Sequence, residues 1–236
     1  MTDATAQATV KSTPEPVNFC NFDWKSALSN SPHSSSLDLL ISTASTTPNA
    51  VIVDCTSSLE IASNYPKWLS LGLSIVTPNK KGLSGDLKLY QAIQSSQGNS
   101  WVYHESTVGA GLPVISTLKD LIETGDSVIQ IEGILSGTLS FLFNSWSLKQ
   151  VSKDDLPFSH WVELAKAKGY TEPDPRDDLN GIDVARKVLI LSRLLNLNLE
   201  LNDIPVENIV PLELRDVESG DSFIKELPKF NAHFEA

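Results

Sequence analysis

The chain has few cysteines, no cluster of basic residues and no long apolar segment. Only two of its 236 residues are cysteines, Cys20 and Cys55, and their spacing fits neither a metal site nor a disulfide scaffold, so we expect free thiols. Lys and Arg number 18 against 29 Asp and Glu, which argues against a nucleic-acid partner because phosphate binding needs clustered cations. No apolar run approaches the roughly 18 residues of a membrane helix, and the residues MTDATAQATVKSTPEP lack the basic and apolar regions of a secretion signal. We therefore expect a cytoplasmic protein without a membrane partner.

A glycine-rich dinucleotide fingerprint is also missing. Gly109 and Gly111 in VGAGLPV follow a predicted strand, but the third glycine position holds Val114. We interpret VGAG as a tight turn that exposes backbone carbonyls, followed by a helix with Pro113 in its first turn. Ahead of the first predicted strand, where such a fingerprint is expected, residues 1–16 are mostly Thr, Ala, Ser and Pro and are predicted to be a disordered tail.

The first half of the chain does contain an alternation of strands and helices. Three short runs rich in Val and Ile are predicted strands, and each ends in polar residues: AVIVDCTSS, LSIVTPNKK and SWVYHESTV. Helical spacing is present in LDLLISTAS, in IASNYPKWLSLG and over 83–93. This alternation predicts a parallel sheet covered by helices. The polar tips then gather at the carboxyl edge of the sheet, where ligands bind, although ordinary turns are the alternative.

The second half has a different pattern. SVIQIEGIL alternates as a strand does, and SGTLSFLFNSW is a predicted buried helix. Thr138, at the turn between them, either holds a ligand carboxylate or caps the helix. SHWVELAKAKGY is a predicted helix closed by Gly169, and prolines make TEPDPRDDLNG a loop. The last helix runs from Ile182 to about Leu195, with its solvent side centred on Arg186 and Arg193.

Asp183 and Lys187 form an i, i+4 pair on this last helix. They share a stripe with Ile190 and Leu194, which predicts that the pair is partly enclosed. A lysine in such a place can act as a general acid or base, with the aspartate fixing its position. The alternative is a surface salt bridge worth a few tenths of a kcal/mol. The adjoining loop adds three carboxylates, Glu172, Asp177 and Asp178. Together these charges predict a recognition site for a small amino acid.

Five segments resemble a known family. VDCTSS, TPNKK, YHESTVGAGLP, GILSGTLSFLFN and GYTEPDPRDDLNGIDVARK are similar to homoserine dehydrogenase in its single-function fungal form, and the resemblance runs from about residue 18 to the end. It implies NAD(P)H-dependent interconversion of L-aspartate 4-semialdehyde and L-homoserine, on the route to threonine, methionine and isoleucine. It also implies a homodimer with NADP or NAD and a sodium-like cation.

The resemblance further implies roles for the matching residues. Lys187 is the acid or base at the reacting oxygen, Asp183 is its partner, and Lys80 is the rival or assistant in proton transfer. The substrate-binding residues are Glu172, Asp178, Asp183, Tyr170 and Thr138. The residues at the nicotinamide end of the cofactor are Thr56, Ser57, Asn79, Lys80 and Gly169. The cation ligands are the Glu105 side chain and the carbonyls of Val108, Ala110 and Leu112.

The predicted fold class is α/β, with an incomplete Rossmann-like parallel sheet followed by an α+β substrate and dimerisation domain. Residues 17–112 form the partial NAD(P)-binding domain and residues 113–236 the homoserine-binding catalytic domain. The family has an opening strand with a glycine-rich turn and further C-terminal strands with a closing helix, so we expect a chain truncated at both ends. Two hypotheses follow: a working dehydrogenase, or a non-catalytic truncated homologue. We expect little or no turnover from the isolated chain.

Overall fold

The chain divides into two units of different architecture. The structure is a computed structural model that describes residues 23–30, 36–147 and 156–234. The first unit extends to Thr107 and the second begins at Val108. This division precedes the VGAGLP turn, whereas our predicted boundary lies within it, between residues 112 and 113. The predicted tail and Cys20 lie outside the described residues, and Cys55 is an exposed free thiol.

The first unit contains the predicted parallel sheet. Its strands are β1 (Val51–Val53), β2 (Ser74–Val76) and β3 (Val102–Tyr103), paired in the order β1-β2-β3. Ile52 stands opposite Ile75, and both face a buried core with Val102. Since side chains alternate along a strand, the other face carries Val51, Val53, Val76 and Tyr103, all exposed. The described residues therefore cover one face of the sheet, whereas parallel sheets are usually covered on both.

Six short helices accompany this sheet in the part of the unit that the structure describes. They are α1 (Trp24–Ser29), α2 (Leu37–Ser45), α3 (Leu59–Ala62), α4 (Tyr65–Ser70), α5 (Lys81–Ser84) and α6 (Leu87–Ser95). The single helix predicted over 83–93 is wrong, because Gly85 has an extended backbone that ends α5, and Asp86 then caps α6 through the Lys88 N–H. Tyr65 and Trp68 of α4 pack in the core beneath the sheet.

The second unit is helical in its described part. Its helices are α7 (Val114–Glu123), α8 (Gly137–Ser147), α9 (Phe158–Ala167), α10 (Arg176–Leu179), α11 (Ile182–Leu194), α12 (Gly220–Glu226) and α13 (Asn231–Phe234). Short 3-10 turns occur at Leu201–Asp203, Leu212–Leu214 and Leu227–Phe230. One core joins α8, α9 and α12 through Leu142, Phe158 and Phe223. Within the described ranges, no helix has the length and apolar character needed to cross a membrane.

Three predictions for the second unit are wrong. SVIQIEGIL is not a strand, because no described segment pairs with it, and Ile129 within it is 97% exposed. The loop TEPDPRDDLNG contains α10, which begins immediately after Pro175. Arg193 does not face solvent, because it is buried with its guanidinium on Glu200 and the Leu199 carbonyl.

Candidate active site

A buried polar cluster lies beneath the loops that follow β1 and β2. Its four members, Asp54, Tyr65, Thr77 and Asn79, are each at most 2% exposed. The Tyr65 hydroxyl donates to Asp54 Oδ2 and lies 3.1 Å from Thr77 Oγ1. Asn79 Nδ2 donates to the same Asp54 oxygen at 3.0 Å. A buried polar group without a partner is costly, so these mutual hydrogen bonds are what allow four polar side chains to be enclosed.

The buried polar cluster holds the backbone of both loops. Asp54 Oδ1 accepts the Thr56 N–H at 2.8 Å, and the Thr56 hydroxyl accepts the Ser58 N–H at 3.1 Å. In the second loop, the Thr77 hydroxyl accepts the Asn79 N–H at 2.9 Å. Asn79 Nδ2 also donates to the Ser58 carbonyl at 2.9 Å, which ties the two loops together. The tips CTSS and TPNKK therefore meet at the carboxyl edge of the sheet, as the strand pattern predicts.

The residues predicted to contact the nicotinamide end differ in accessibility. Ser57 is exposed, and Thr56 and Lys80 are partly exposed. Asn79 is buried, its amide nitrogen donates twice, and its amide oxygen accepts the Lys81 N–H at 3.0 Å. The Asn79 side chain is thus engaged within the protein, whereas the side chains of Ser57 and Lys80 reach the surface.

In the second unit, Lys187 and Asp183 form the ion pair that their spacing on α11 predicts. Lys187 Nζ lies 2.7 Å from Asp183 Oδ2 and donates to the Leu135 carbonyl at 2.7 Å. The Lys187 side chain is 15% exposed and that of Asp183 is 49% exposed. The ammonium is therefore enclosed while its carboxylate partner reaches solvent. An ammonium fixed by two oxygens is suited to exchange a proton with a bound oxygen atom.

Thr138 links the start of α8 to the charged loop before α11. Its Oγ1 lies 2.6 Å from the Tyr170 carbonyl and 2.8 Å from Asp178 Oδ1, and its single proton serves one of them at a time. Asp178 Oδ2 accepts the Glu172 N–H at 2.8 Å. The capping alternative for Thr138 is wrong, because Ser136 Oγ accepts a first-turn N–H of α8 at 3.2 Å.

Burial raises the pKa of the Asp178 carboxyl above its ordinary range, although the hydrogen bonds from Glu172 and Thr138 oppose the rise. The negative charges of Asp177 and Asp183 add to it. Asp178 lies on α10, which packs against α11, the helix that carries the ion pair. We call Glu172, Asp178, Asp183 and Lys187 the charged cluster.

An arginine fork holds the loop that carries Glu172. Arg176 donates to the two oxygens of Asp174, from Nε at 3.0 Å and from Nη2 at 2.5 Å, and this contact lowers the pKa of the Asp174 carboxyl. Arg176 Nη1 donates to the carbonyls of Arg215 and Val217 at 3.0 and 2.7 Å. The loop is thereby tied to a segment much later in the chain, which limits how far the charged cluster can move.

Gly169 and Tyr170 lie where α9 ends. Gly169 has φ +72°, a left-handed conformation that a glycine adopts without a Cβ clash. The Tyr170 ring is exposed and packs edge-on against Phe141 at 5.1 Å, and Lys168 Nζ lies 5.9 Å from its centre. The Tyr170 carbonyl thus binds Thr138 while its ring remains at the surface.

The VGAGLP turn has the left-handed backbone that its glycines predict. Gly109 has φ +81° and Ala110 φ +52°, and the Leu112 N–H donates to the Gly109 carbonyl at 2.9 Å. Val108 is buried, and Glu105–Thr107 is a 3-10 turn. Among the described residues, no three His, Cys, Asp or Glu side chains are grouped to hold a metal. A cation at this turn would therefore depend on carbonyl oxygens, which suit a hard ion.

A cleft of about 250 Å³ lies beside α11, between this helix and residues 128–135. Its lining is mostly apolar and includes Ile129, Ile131, Val184 and Val188. None of the predicted site side chains lines it. We do not place the substrate there, because an amino acid with two charges and a hydroxyl needs polar partners.

Sequence reasoning missed three members of the buried polar cluster. Asp54 precedes Thr56 by two residues, and Thr77 precedes Asn79 by two; a short polar side chain at this spacing commonly binds the later backbone N–H. That spacing is a signal in the sequence. Tyr65 carries none, because its partner Asp54 lies in another element. The Leu135 carbonyl that binds Lys187 has no side-chain signature at all.

The fold and these loops define a class of protein, an NAD(P)-binding Rossmann-like domain joined to a helical unit with an enclosed lysine. Residues 4–103 match the family model described as homoserine dehydrogenase, NAD binding domain. Residues 113–231 match the model described as homoserine dehydrogenase. The chain belongs to the homoserine dehydrogenase family.

Relatives in fungi and plants agree with this assignment. The chain is 50% identical over 213 residues to the homoserine dehydrogenase of Saccharomyces cerevisiae, a match that covers 89% of this chain and 59% of that protein. It is 52% identical over 187 residues to the chloroplastic bifunctional aspartokinase/homoserine dehydrogenase of Daucus carota, covering 78% of this chain and 20% of that protein. The chain thus spans about three fifths of the yeast protein and one fifth of the plant protein.

Solved structures share the fold. A crystal structure of a protein of unknown function from Candida auris is 44% identical, with a TM-score of 0.79, over 91% of this chain and 61% of that chain. A hyperthermophilic archaeal homoserine dehydrogenase in complex with NADPH is 26% identical, with a TM-score of 0.57, over 74% of this chain and 55% of that one. A structural neighbour of this fold therefore binds a nicotinamide cofactor.

Proposed function

We propose that the site in this chain is that of a homoserine dehydrogenase, which interconverts L-aspartate 4-semialdehyde and L-homoserine with NADPH or NADH, and we expect little or no turnover from the isolated chain. This reaction is a step in the biosynthesis of threonine, methionine and isoleucine. The observation that carries the proposal is the enclosed Lys187 ammonium, held at 2.7 Å by both Asp183 and the Leu135 carbonyl. Burying a lysine ammonium is costly and is weak evidence for a stabilising role, whereas a catalytic role accounts for it.

Proton transfer is the part of the reaction assigned to lysine. A bound NADPH or NADH supplies the hydride that reduces the aldehyde carbon. Lys187 donates a proton to the aldehyde oxygen, which becomes the hydroxyl of homoserine, and accepts it again in the oxidation. Asp183 keeps the ammonium in position. Lys80, partly exposed at the tip after β2, assists or replaces Lys187 in this transfer.

The polar groups of the substrate are assigned to the loop before α11. Glu172 is exposed, and its backbone is fixed by the 2.8 Å hydrogen bond to Asp178, so its carboxylate can bind the substrate ammonium from a defined position. Asp178, Asp183, Tyr170 and Thr138 supply the remaining contacts to the amino, carboxylate and hydroxyl groups. These assignments are supported by the charge and the hydrogen bonds of the charged cluster.

The cofactor is assigned to the loops after β1 and β2. Thr56, Ser57 and Lys80 contact the nicotinamide end, together with Gly169, and Asn79 holds the loops. The residues fit this group because the loops lie at the carboxyl edge of a parallel sheet, where nucleotides bind in this class of fold. Their backbone is already fixed by hydrogen bonds before a ligand arrives, which reduces the entropy lost on binding.

Three further features belong to the proposal. A sodium-like cation binds Glu105 and the carbonyls of Val108, Ala110 and Leu112, which the left-handed backbone at Gly109 and Ala110 supports. The protein is a homodimer and works in the cytoplasm. The cation and the homodimer come from the family resemblance, and the cytoplasmic location comes from the sequence composition; each can be tested separately from catalysis.

Turnover with defined substrates tests the proposed function. The chain is incubated with L-homoserine and NADP⁺ or NAD⁺, and reduced cofactor is followed by its absorbance; the reverse reaction is followed with L-aspartate 4-semialdehyde. L-Serine and L-threonine are the matched controls, since one lacks a methylene group and the other carries its hydroxyl on a different carbon. Turnover confined to homoserine supports the proposal. Equal turnover of all three substrates, or none in a protein extended to the length of the yeast relative, contradicts it.

A further inference from the structure

The buried polar cluster is not explained by the reaction. Three of its four residues, Asp54, Tyr65 and Thr77, have no role in the proposed chemistry, and all are enclosed. Hydrophobic residues of the same size would fill this volume at least as well, because a buried hydrogen bond adds only about 1 kcal/mol net. The position of the cluster therefore suggests a purpose other than packing.

Each bond of the buried polar cluster leads to one of the two loops. Asp54 uses one carboxylate oxygen for the Thr56 N–H and the other for Tyr65 and Asn79. Thr77 binds the Asn79 N–H at 2.9 Å and donates to the Asp54 carbonyl at 2.8 Å. Removing any one member thus leaves a loop amide or a partner side chain without its hydrogen bond.

Tyr65 is the member that comes from outside the loops. It is the first residue of α4, it packs on Trp68 with ring centres 5.8 Å apart, and only its hydroxyl extends into the cluster. Burial raises the pKa of this phenol well above its usual range, as does the hydrogen bond to Asp54. The hydroxyl therefore stays protonated throughout the physiological pH range and can always donate its hydrogen bond to Asp54.

We propose that Tyr65, through Asp54 and Thr77, is a positioning residue that holds the loops 54–58 and 77–81 in one arrangement for the cofactor. Tyr65 touches neither cofactor nor substrate in this account. It acts through Asp54 on the Thr56 backbone, and through Thr77 on the Asn79 backbone in the loop that carries Lys80. The inference rests on the proposed function for the identity of the ligand, but the effect on the loops is independent of it.

Hydrogen exchange of the ligand-free chain tests the effect on the loops directly. In Tyr65→Phe, we expect exchange of the Thr56 and Asn79 amides to accelerate at least about fivefold, the factor that corresponds to one lost hydrogen bond. The Ile75 amide, which donates to the Trp101 carbonyl at 2.8 Å in the sheet, should exchange as in the wild type. Tyr103→Phe, the same change at an exposed position of β3, is the matched control and should change neither loop.

A second pair of variants keeps the test valid if Tyr65→Phe does not fold. Thr77→Val preserves the shape of the side chain but removes its hydroxyl, whereas Thr77→Ser keeps the hydroxyl. We expect faster loop exchange in Thr77→Val and near wild-type exchange in Thr77→Ser. Equal loop exchange in Thr77→Val and Thr77→Ser would overturn the inference, as would unchanged loop exchange in Tyr65→Phe. An equal acceleration of the sheet amide in Tyr65→Phe would also overturn it, because it would show that Tyr65 contributes only to overall stability.

Cofactor binding separates this inference from the proposed function. Titration with NADPH should give a dissociation constant about fivefold higher for Tyr65→Phe than for the wild type and Tyr103→Phe. Equal dissociation constants would overturn the positioning role even if the loops exchange faster. If the wild-type chain binds neither NADPH nor NADH, the proposed function fails, while the exchange data still decide whether Tyr65 fixes the loops.

Discussion

The buried polar cluster of the first unit and the charged cluster of the second are built in opposite ways. The first has one carboxylate and three neutral side chains, all enclosed and all bonded to one another. The second has three carboxylates and one ammonium, and its members Glu172 and Asp183 reach solvent. The polar groups of the first cluster form their hydrogen bonds within the protein, whereas charged side chains of the second cluster are accessible to a ligand.

Under the proposed function, the buried polar cluster serves the cofactor and the charged cluster serves the substrate. Closed hydrogen bonds fix a backbone, which suits a cofactor that is bound in the same way in every cycle. Half-exposed charged groups lose little hydration free energy in the free protein. They interact strongly with a substrate once that substrate excludes water from them. Substitutions in the two clusters should therefore affect different measurements.

The largest effect is expected from removing the lysine of the charged cluster. In a protein of the full length of the yeast relative, Lys187→Ala should lower turnover about 10²- to 10⁴-fold, because general acid–base catalysis contributes this much. The dissociation constant for NADPH should change little. Lys166→Ala is the matched control, since Lys166 also has a carboxylate partner, Asp221, at 2.5 Å, outside the charged cluster. Turnover like that of the wild type in Lys187→Ala would remove Lys187 from the mechanism.

Opening the buried polar cluster should affect stability instead. Asp54→Ala leaves the Tyr65 hydroxyl, the Asn79 amide and the Thr56 N–H without their common acceptor, so the free energy of unfolding should fall by about 3 kcal/mol. Asp221→Ala, which removes an exposed partner, should cost less than about 1 kcal/mol. Urea unfolding of the two variants measures both values. Similar losses for the two would mean that the buried polar cluster is no more important to folding than a surface pair.

A smaller effect is expected from the exposed acid of the charged cluster. Glu172→Leu should raise the KM for homoserine about tenfold, since one charge-assisted hydrogen bond contributes about 1.5 kcal/mol or more, and should leave the KM for the cofactor nearly unchanged. Glu163→Leu, the same change at an exposed position of α9, is the control. Steady-state kinetics with each substrate varied in turn provide the comparison, and equal changes in both KM values would exclude a substrate contact at Glu172.

The smallest effect concerns the ionisation of Asp178. Its folded-state pKa is raised above the ordinary value of 3.8, so its contribution to stability is fully present below pH 3.8 and is lost as the pH rises through the raised pKa. Asp178→Asn remains neutral and can still bind Thr138 and the Glu172 N–H. We expect it to be more stable than the wild type by a few tenths of a kcal/mol at pH 7, with no advantage below pH 3.8. Denaturant titrations at both pH values measure this, and a lower stability at pH 7 would show that the carboxylate is favourable there.

The parallel sheet and the ion pair on α11 are predictable because their signals are local. Short Val and Ile runs with polar ends predict strands, and an i, i+4 spacing places Asp183 beside Lys187. The prediction that Arg193 faces solvent was wrong, because helical periodicity describes the average character of a helix face. A single guanidinium that has a carbonyl and a carboxylate partner can be buried although its position on the helix predicts exposure.

Other features depend on contacts distant in sequence. SVIQIEGIL alternates as a strand does, but a strand also needs a neighbour, and no described segment provides one. Tyr65 reaches Asp54 from another element, so nothing within either segment indicates their hydrogen bond. Asn79 was predicted as a cofactor contact from the family resemblance, and only the structure shows that its side chain is engaged by Asp54 and Ser58.

The most direct test of the division between the clusters is a titration of this chain with NADPH and NADH, followed by nicotinamide fluorescence, and then by addition of L-homoserine and NADP⁺. We predict saturable binding of at least one reduced cofactor, because the loops after β1 and β2 are already fixed. Binding without turnover would agree with our expectation of little activity from this chain. It would show that the missing activity is due to a step after cofactor binding. No binding at millimolar concentrations of either cofactor would contradict the claim that these loops form a cofactor site.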